Sequence, residues 1–253
     1  MRIGCVKYLN ARPLIHGWPG PVILDHPSAL AEKLAGGELD AALVSSFEFL
    51  RNPIYKIVDR VSISSEGAVY SVVVAYAGGT PLQEIELDPA SQTSVALLRY
   101  LVAERGHDFR ALEPKGAMLS PLSEGRARLL IGDQAIRFRG KFGEQYSYWD
   151  LGEEWKGLTG LPFVFALWLV RPEVADPGAI GERLRALRDA NLTKIESVIA
   201  QEKEFDPQFC RAYYGRYLRF NFAQAEKQGL ERFAGVCAKL KLIPRADLDL
   251  ELV

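Results

Sequence analysis

The sequence predicts an α/β protein of two lobes, with the chain crossing between them twice and a helical region toward the C-terminus. Three observations carry this expectation. Residues 2–50 alternate apolar runs with helix signals in a β-α-β-α-β rhythm, which predicts a parallel sheet wrapped by helices. A second unit of similar rhythm begins near residue 85. Between residues 162 and 170 the chain then runs Pro-Phe-Val-Phe-Ala-Leu-Trp-Leu-Val without a single charge, as expected of a strand buried on both faces. That run is far shorter than the roughly 20 apolar residues of a membrane-spanning helix.

Residues 2–7 form the first predicted strand, closed by Tyr8, Leu9 and Asn10. Pro13 follows, which can open a helix but cannot continue a central strand. Val22 to Asp25 is a second short strand. Ser28 is placed to cap an apolar-periodic helix that stops at Gly36-Gly37. The run from Asp40 to Val44 is a third strand, and Ser45-Ser46 marks the start of a helix over 47–50. Extended segments are expected between 61 and 76, around Glu66-Gly67 and along Val69 to Tyr76.

In the second unit, Ile85 to Asp88 reads as a strand and Thr93-Ser94 as the start of a helix reaching Glu104. Leu129 to Ile131 is a strand stopped by Gly132-Asp133, with a helix from Gln134. Asp150 caps a short polar helix to Lys156, and Gly160 and Pro162 break it before the buried strand. Helical periodicity dominates after Asp176, chiefly at 178–203 and 222–240. The first lobe is thus expected to hold residues 1–80 and 168–253 and the second residues 81–167. The chain would leave the first lobe near 77–84 and return along 163–170.

Composition narrows the function. Hydrophobic residues make up 48% of the 253, enough for a sizeable core, and the net charge is −1 with no polybasic block. Nucleic acid and anionic membrane are therefore excluded as expected partners, whereas a small anionic ligand is not. Cys5, Cys210 and Cys237 are an odd number with no C-x-x-C spacing, which points to reduced thiols. Met1 leads straight into a strand without a basic, apolar leader, so a cytoplasmic location is expected. His16, His26 and His107 are scattered singly, so no metal site is expected.

Open α/β sheets bind ligands beyond the carboxyl ends of their strands, and clefts between lobes are favoured sites. The polar residues at such positions are Asn10, Ser45, Ser71, Thr93, Ser94 and Asp133. Each also has a plain structural reading. Asn10 is a normal turn residue before Pro13, yet its amide can offer a donor and an acceptor to a ligand. Ser45, Thr93, Ser94 and Asp133 stand where helices begin and would ordinarily cap them. The same helix ends also suit carboxylates. Ser71 lies in an apolar run and needs a partner if buried. Cys5 should pack as a small apolar residue, and Glu48 and Glu66 should be solvated. No residue stands out as a general base.

Several blocks together resemble a known family. They are Val6-Lys-Tyr-Leu-Asn-Ala-Arg-Pro-Leu14, Asp40-Ala-Ala-Leu-Val-Ser-Ser-Phe-Glu-Phe-Leu50, Thr93-Ser94-Val95, Leu130-Ile-Gly-Asp133 and the stretch from Asp150 to Trp168. In this order they are similar to the chorismate dehydratases of the futalosine route to menaquinone, over most of residues 2–170. The sister dihydroxynaphthoate synthases usually carry a Cys-Pro-Asn-Asp-Thr-type segment where this chain has Tyr8-Leu9-Asn10-Ala11-Arg12-Pro13. Ala11-Arg12 departs from the dehydratase pattern too, and Arg12 is assigned no role.

The resemblance implies a fold like the two-lobed type II periplasmic binding proteins, used as a cytoplasmic enzyme. It implies a cofactor-free hydro-lyase that takes chorismate, a small anionic substrate, to 3-[(1-carboxyvinyl)oxy]benzoate. It further implies that Asn10 and Ser71 orient the reacting side chain, while Ser45, Thr93 and Ser94 hold carboxylates. Asp133 is a further candidate for substrate binding, by its place at a strand-to-helix junction, where it either caps the helix or orients the ligand. The alternative from another class is a non-catalytic protein that binds small carboxylates.

Overall fold

A computed structural model describes residues 1–78, 83–88, 91–114, 117–244 and 246–253. The first lobe is built on the early strands β1 (Ile3–Val6), β2 (Val22–Asp25), β3 (Ala41–Ser45) and β4 (Lys56–Ser65), with α1 (Arg12–Ile15), α2 (Pro27–Ala35) and α3 (Ser46–Arg51) between them. Here β1 pairs in parallel with both β2 and β3, as the alternating rhythm predicts. The N-cap of α2 is His26 followed by Pro27, not Ser28. Proline supplies the helical φ at the first position and has no N–H to satisfy, so the helix begins two residues earlier than the hydroxyl suggests.

The second lobe holds β5 (Val72–Tyr76), β6 (Glu84–Glu86), α4 (Gln92–Glu104), β7 (Arg110–Leu112), β8 (Ala127–Ile131), α5 (Gly132–Phe142) and β9 (Ser147–Asp150). Its sheet order is β7-β6-β8-β5-β9, parallel among β7, β6 and β8 and antiparallel around β5. Strands β7 and β9 have no counterpart in the sequence expectation. Both lie at sheet edges, where β7 is largely exposed and lacks a continuous apolar signal.

Helix α6 (Leu151–Thr159) then leads to β10 (Phe163–Val170), which inserts between β3 and β4 to give the order β2-β1-β3-β10-β4. Because the chain returns from the other lobe, β10 runs antiparallel to both neighbours, so this sheet is mixed. The sheets also move the crossings. The chain leaves the first sheet after Ser65 and enters the second at Val72, so the outward passage is 66–71 and not 77–84. An apolar run such as Val69 to Tyr76 marks a strand without telling which sheet receives it. The whole of β10, from Phe163, belongs to the first sheet.

The rest packs on the first lobe as α7 (Pro177–Thr193), α8 (Ile195–Ile199), α9 (Pro207–Ala212), a π-helical turn over Tyr213–Tyr217, and α10 (Gln224–Lys239). The two passages pack tightly on each other. A Cβ on Gly152 would lie 2.6 Å from the Gly67 carbonyl oxygen, so α6 can seat against 65–67 only with glycine there. Among the described residues no helix is long and apolar enough to cross a membrane.

Candidate active site

The ends of β1, β3, β8 and β5 meet between the lobes around a small cavity of ≈ 70 Å³. Its walls include Tyr8, Asn10, Ser45, Ser91, Thr93, Ser94, Gly132 and Phe165. Four of the six residues singled out from the sequence, Asn10, Ser45, Thr93 and Ser94, therefore share one space. The backbone fits the purpose locally. Gly132 has φ 52°, and a Cβ there would sit 3.1 Å from the Tyr8 ring, so only glycine lets that ring close the wall.

Among the candidate site residues, none of those at helix starts makes the side-chain cap that its position suggests. Ser45 is the N-cap of α3 but makes no capping bond. The free Phe47 N–H of α3 donates instead to Thr93 Oγ1, 3.1 Å away in the opposite lobe. Helix α4 begins one turn position before Thr93, with Ser91 as an N-cap that also makes no capping bond. The Ser91 hydroxyl is buried with only 4% of the residue exposed, and it has no hydrogen-bond partner among the described residues. Asn10 sits in a 3-10 turn, Leu9–Ala11, with its Oδ1 buried and likewise unpartnered. Unpaired polar atoms cost stability when buried, so two that share one cavity are placed to bond a ligand.

Asp133 does not cap α5 either. The N-cap is Ile131, and the Asp133 carboxylate accepts from the Leu9 N–H at 2.8 Å across the cleft. Burial pushes its pKa up to about 6, against the lowering effects of the Leu9 N–H and of Arg137. It thus bonds the residue beside Asn10 and is not among the cavity-lining residues. Ser71 is behind the wall as well. It is 1% exposed, its carbonyl accepts from the Gly132 N–H at 2.8 Å, and its Oγ accepts from the Tyr213 hydroxyl at 2.6 Å.

Ser91, Gln92, Tyr8 and Phe165 are wall residues that the sequence argument missed. Ser91 alone carried a signal, a hydroxyl two residues ahead of Thr93 at a helix start. Glu48, expected in solvent, is buried on α3 against Arg51, and burial raises its pKa. Glu66 is at the surface in an ion pair with Lys156. Burial pushes the Cys5 thiol up, which makes it a packing group and not a nucleophile.

The described walls carry no lysine, arginine, histidine or carboxylate. What they offer is the N-terminus of the 13-residue α4, hydroxyls, the amides of Asn10 and Gln92, and an apolar floor of Val6, Ile63, Val72, Ile131 and Phe165. Such a site suits a flat apolar ring bearing anionic groups. Two larger hollows, of ≈ 600 and ≈ 630 Å³, lie elsewhere. The charges of the first include Arg2 paired with Asp40 and Arg171 paired with Glu173. The second runs along α4 and shares Gln92 with the cleft. Among the described residues no group of three or more His, Cys, Asp or Glu is placed to hold a metal ion.

Comparison with known proteins gives the chain a family and its fold a likeness. A chorismate dehydratase from Thermus thermophilus is 32% identical over 92% of this chain and 93% of its own length. A chorismate dehydratase from Campylobacter jejuni is 27% identical over 93% and 92%. The fold is that of the Escherichia coli periplasmic aliphatic sulphonate binding protein, with a TM-score of 0.64 at 11% identity over 97% of this chain and 89% of that one. The profile of the menaquinone biosynthesis family matches residues 1–239, and the chain belongs to that family.

Proposed function

We propose that the protein is a chorismate dehydratase of the futalosine route, a cofactor-free hydro-lyase acting in the cytoplasm. The observation that carries this reading is the cavity itself, where Asn10 Oδ1 and Ser91 Oγ are buried without partners and the described walls hold no carboxylate, histidine, lysine or arginine. Both relatives named above carry that activity in their names. The three cysteines are free and buried, in keeping with a reducing compartment.

The reaction suits such a site. Chorismate loses the C3 proton and the C4 hydroxyl as water, leaving 3-[(1-carboxyvinyl)oxy]benzoate. The C1 carboxylate activates the C3 hydrogen through the ring alkene, and the ring becomes aromatic as hydroxide departs. The protein's work is therefore to orient the ring and stabilise developing charge, and a carboxylate of the substrate itself can take the proton. In this reading the N-terminus of α4, with Ser91, Thr93, Ser94 and Ser45, holds a carboxylate. Asn10 and Ser71 orient the enolpyruvyl side chain, and Asp133 sets the Leu9–Asn10 turn.

The test is direct. Purified protein incubated with chorismate, with and without a chelator, should form the enol-ether benzoate, followed by chromatography and mass spectrometry. Chorismate that binds but remains unchanged would replace this reading with that of a binding protein.

A further inference from the structure

We infer that Tyr213 is a positioning residue that sets the orientation of the Ser71 hydroxyl, an inference that rests on the dehydratase reading above. Tyr213 lies in the π-helical turn that follows α9. Adjacent residues of an α-helix point about 100° apart, whereas this turn buries both Tyr213 and Tyr214 and gives each hydroxyl a separate target. Tyr214 donates to the carbonyl oxygen of Leu9, the residue before Asn10, at 3.1 Å. Tyr213 donates to Ser71 Oγ at 2.6 Å. One irregular turn of helix thus reaches Ser71 and the carbonyl just ahead of Asn10.

The backbone around Ser71 is held by other groups. Tyr70 has φ 67°, a left-handed conformation unusual for an aromatic residue. Its N–H donates to Asp150 Oδ2 at 2.7 Å and its carbonyl accepts from Arg139 at 3.0 Å. The Ser71 carbonyl is held by Gly132. Tyr213 provides the side-chain bond of Ser71 among the described residues. The phenol is itself fixed, since it is fully buried and stacks on Phe209 at 5.5 Å and 15°. Burial also keeps it protonated.

The chemistry of the pair gives the bond a direction. A phenol is a stronger acid than an alcohol, so Tyr213 is the donor. A serine hydroxyl has two acceptor sites and one proton. With one acceptor site filled by Tyr213, the proton of Ser71 points elsewhere, and no described residue accepts it. Ser71 stands one residue before Val72 and bonds Gly132, both of which line the cavity, so its proton is left for a substrate that reaches past this wall when the lobes part. Chained donors also polarise one another, which strengthens the bond that Ser71 gives.

The experiment is a double-mutant cycle with chorismate as substrate, in wild type, Tyr213→Phe, Ser71→Ala and the double variant. Tyr213→Phe should lower kcat by about tenfold to a hundredfold with KM changed less than about threefold. In the Ser71→Ala background the same change should cost less than about twofold, because its target is gone. Equal losses in both backgrounds, or a loss confined to KM, would overturn the inference. Should Tyr213→Phe fail to fold, 3-fluorotyrosine at position 213 keeps the ring and a stronger donor. Wild-type kcat or above is then expected, and a tenfold loss overturns the proposal. Wild-type protein that leaves chorismate unchanged removes the functional reading and this inference with it. A wild type that converts chorismate while Tyr213→Phe keeps full kcat removes the inference alone.

Discussion

Tyr70 and Asp150 lie 80 residues apart in sequence, and the Tyr70 N–H donates to Asp150 Oδ2 at 2.7 Å. The same carboxylate accepts from Val69 N–H and, as the N-cap of α6, from Gly152 and Glu153 N–H. One side chain therefore ties the outward passage between the lobes to the returning one. Its cap is readable in sequence; its bond to the other passage is not.

Asp150→Ala should leave four buried or half-buried amides without this acceptor. A loss of about 2–4 kcal/mol is expected in urea unfolding, more than a cap alone supplies. A loss below about 1 kcal/mol would mean that the passages are held together by packing instead.

Asp133 should make stability depend on pH. Its folded pKa is raised to about 6, chiefly by burial. The folded chain thus keeps a proton that the unfolded chain has already released, and stability falls as pH rises from about 4 to about 6. Asp133→Asn keeps an acceptor for Leu9 N–H and has no charge to bury. It should match wild type near pH 4 and exceed it at pH 7.5, by an amount on the order of 1–3 kcal/mol. A difference that does not grow with pH counts against burial as the cause.

Asn10 should separate activity from stability. Removing an already unpartnered buried oxygen, as in Asn10→Ala, costs folding little or nothing. Turnover of chorismate should nonetheless fall by about 10²–10³. Thermal unfolding and kcat measured on one preparation check both halves, and a large drop in melting temperature would assign Asn10 to the turn alone.

The lobes should separate to admit substrate. A cavity of ≈ 70 Å³ is well below the roughly 300 Å³ at which ligand pockets begin. Opening must break the Leu9–Asp133 and Phe47–Thr93 bonds. Thr93→Val should therefore raise KM, and solution scattering should report a smaller radius of gyration with a saturating substrate analogue than after Thr93→Val without one. Identical profiles would argue for a site that fills without hinge motion.

Much of this architecture is legible in the sequence where the signal is local. The charge-free run at 162–170 marks β10 as doubly buried, and the alternation before residue 50 marks the parallel β2-β1-β3 core. What is not legible depends on partners remote in the chain. The hydroxyls at 45, 91, 93 and 94 look like helix caps, and whether each one caps is decided by what faces it across the cleft. Thr93 serves a helix of the other lobe, 46 residues away. Asp133 serves a turn 124 residues away. Tyr213 had no local signal at all, because its helix reads as generic periodicity and its target lies 142 residues upstream.

The place of β10 in the first sheet bears on the order in which the chain folds. Strands β5 to β9 are contiguous, so the second lobe has all of its strands once residue 150 is made. The first lobe must wait. Its β4 has no strand beside it until β10 arrives at 163–170, and residues 251–253 later pair with the same strand through Ile57 and Asp59. During synthesis the second lobe can condense while β1 to β4 are still short of their central partner, so contiguous structure forms before discontinuous structure. Nascent chains stalled at increasing length should gain protease resistance in the second lobe first, and β4, with Ile57, Val58, Val61 and Ile63 still uncovered, is the segment that a chaperone would meet.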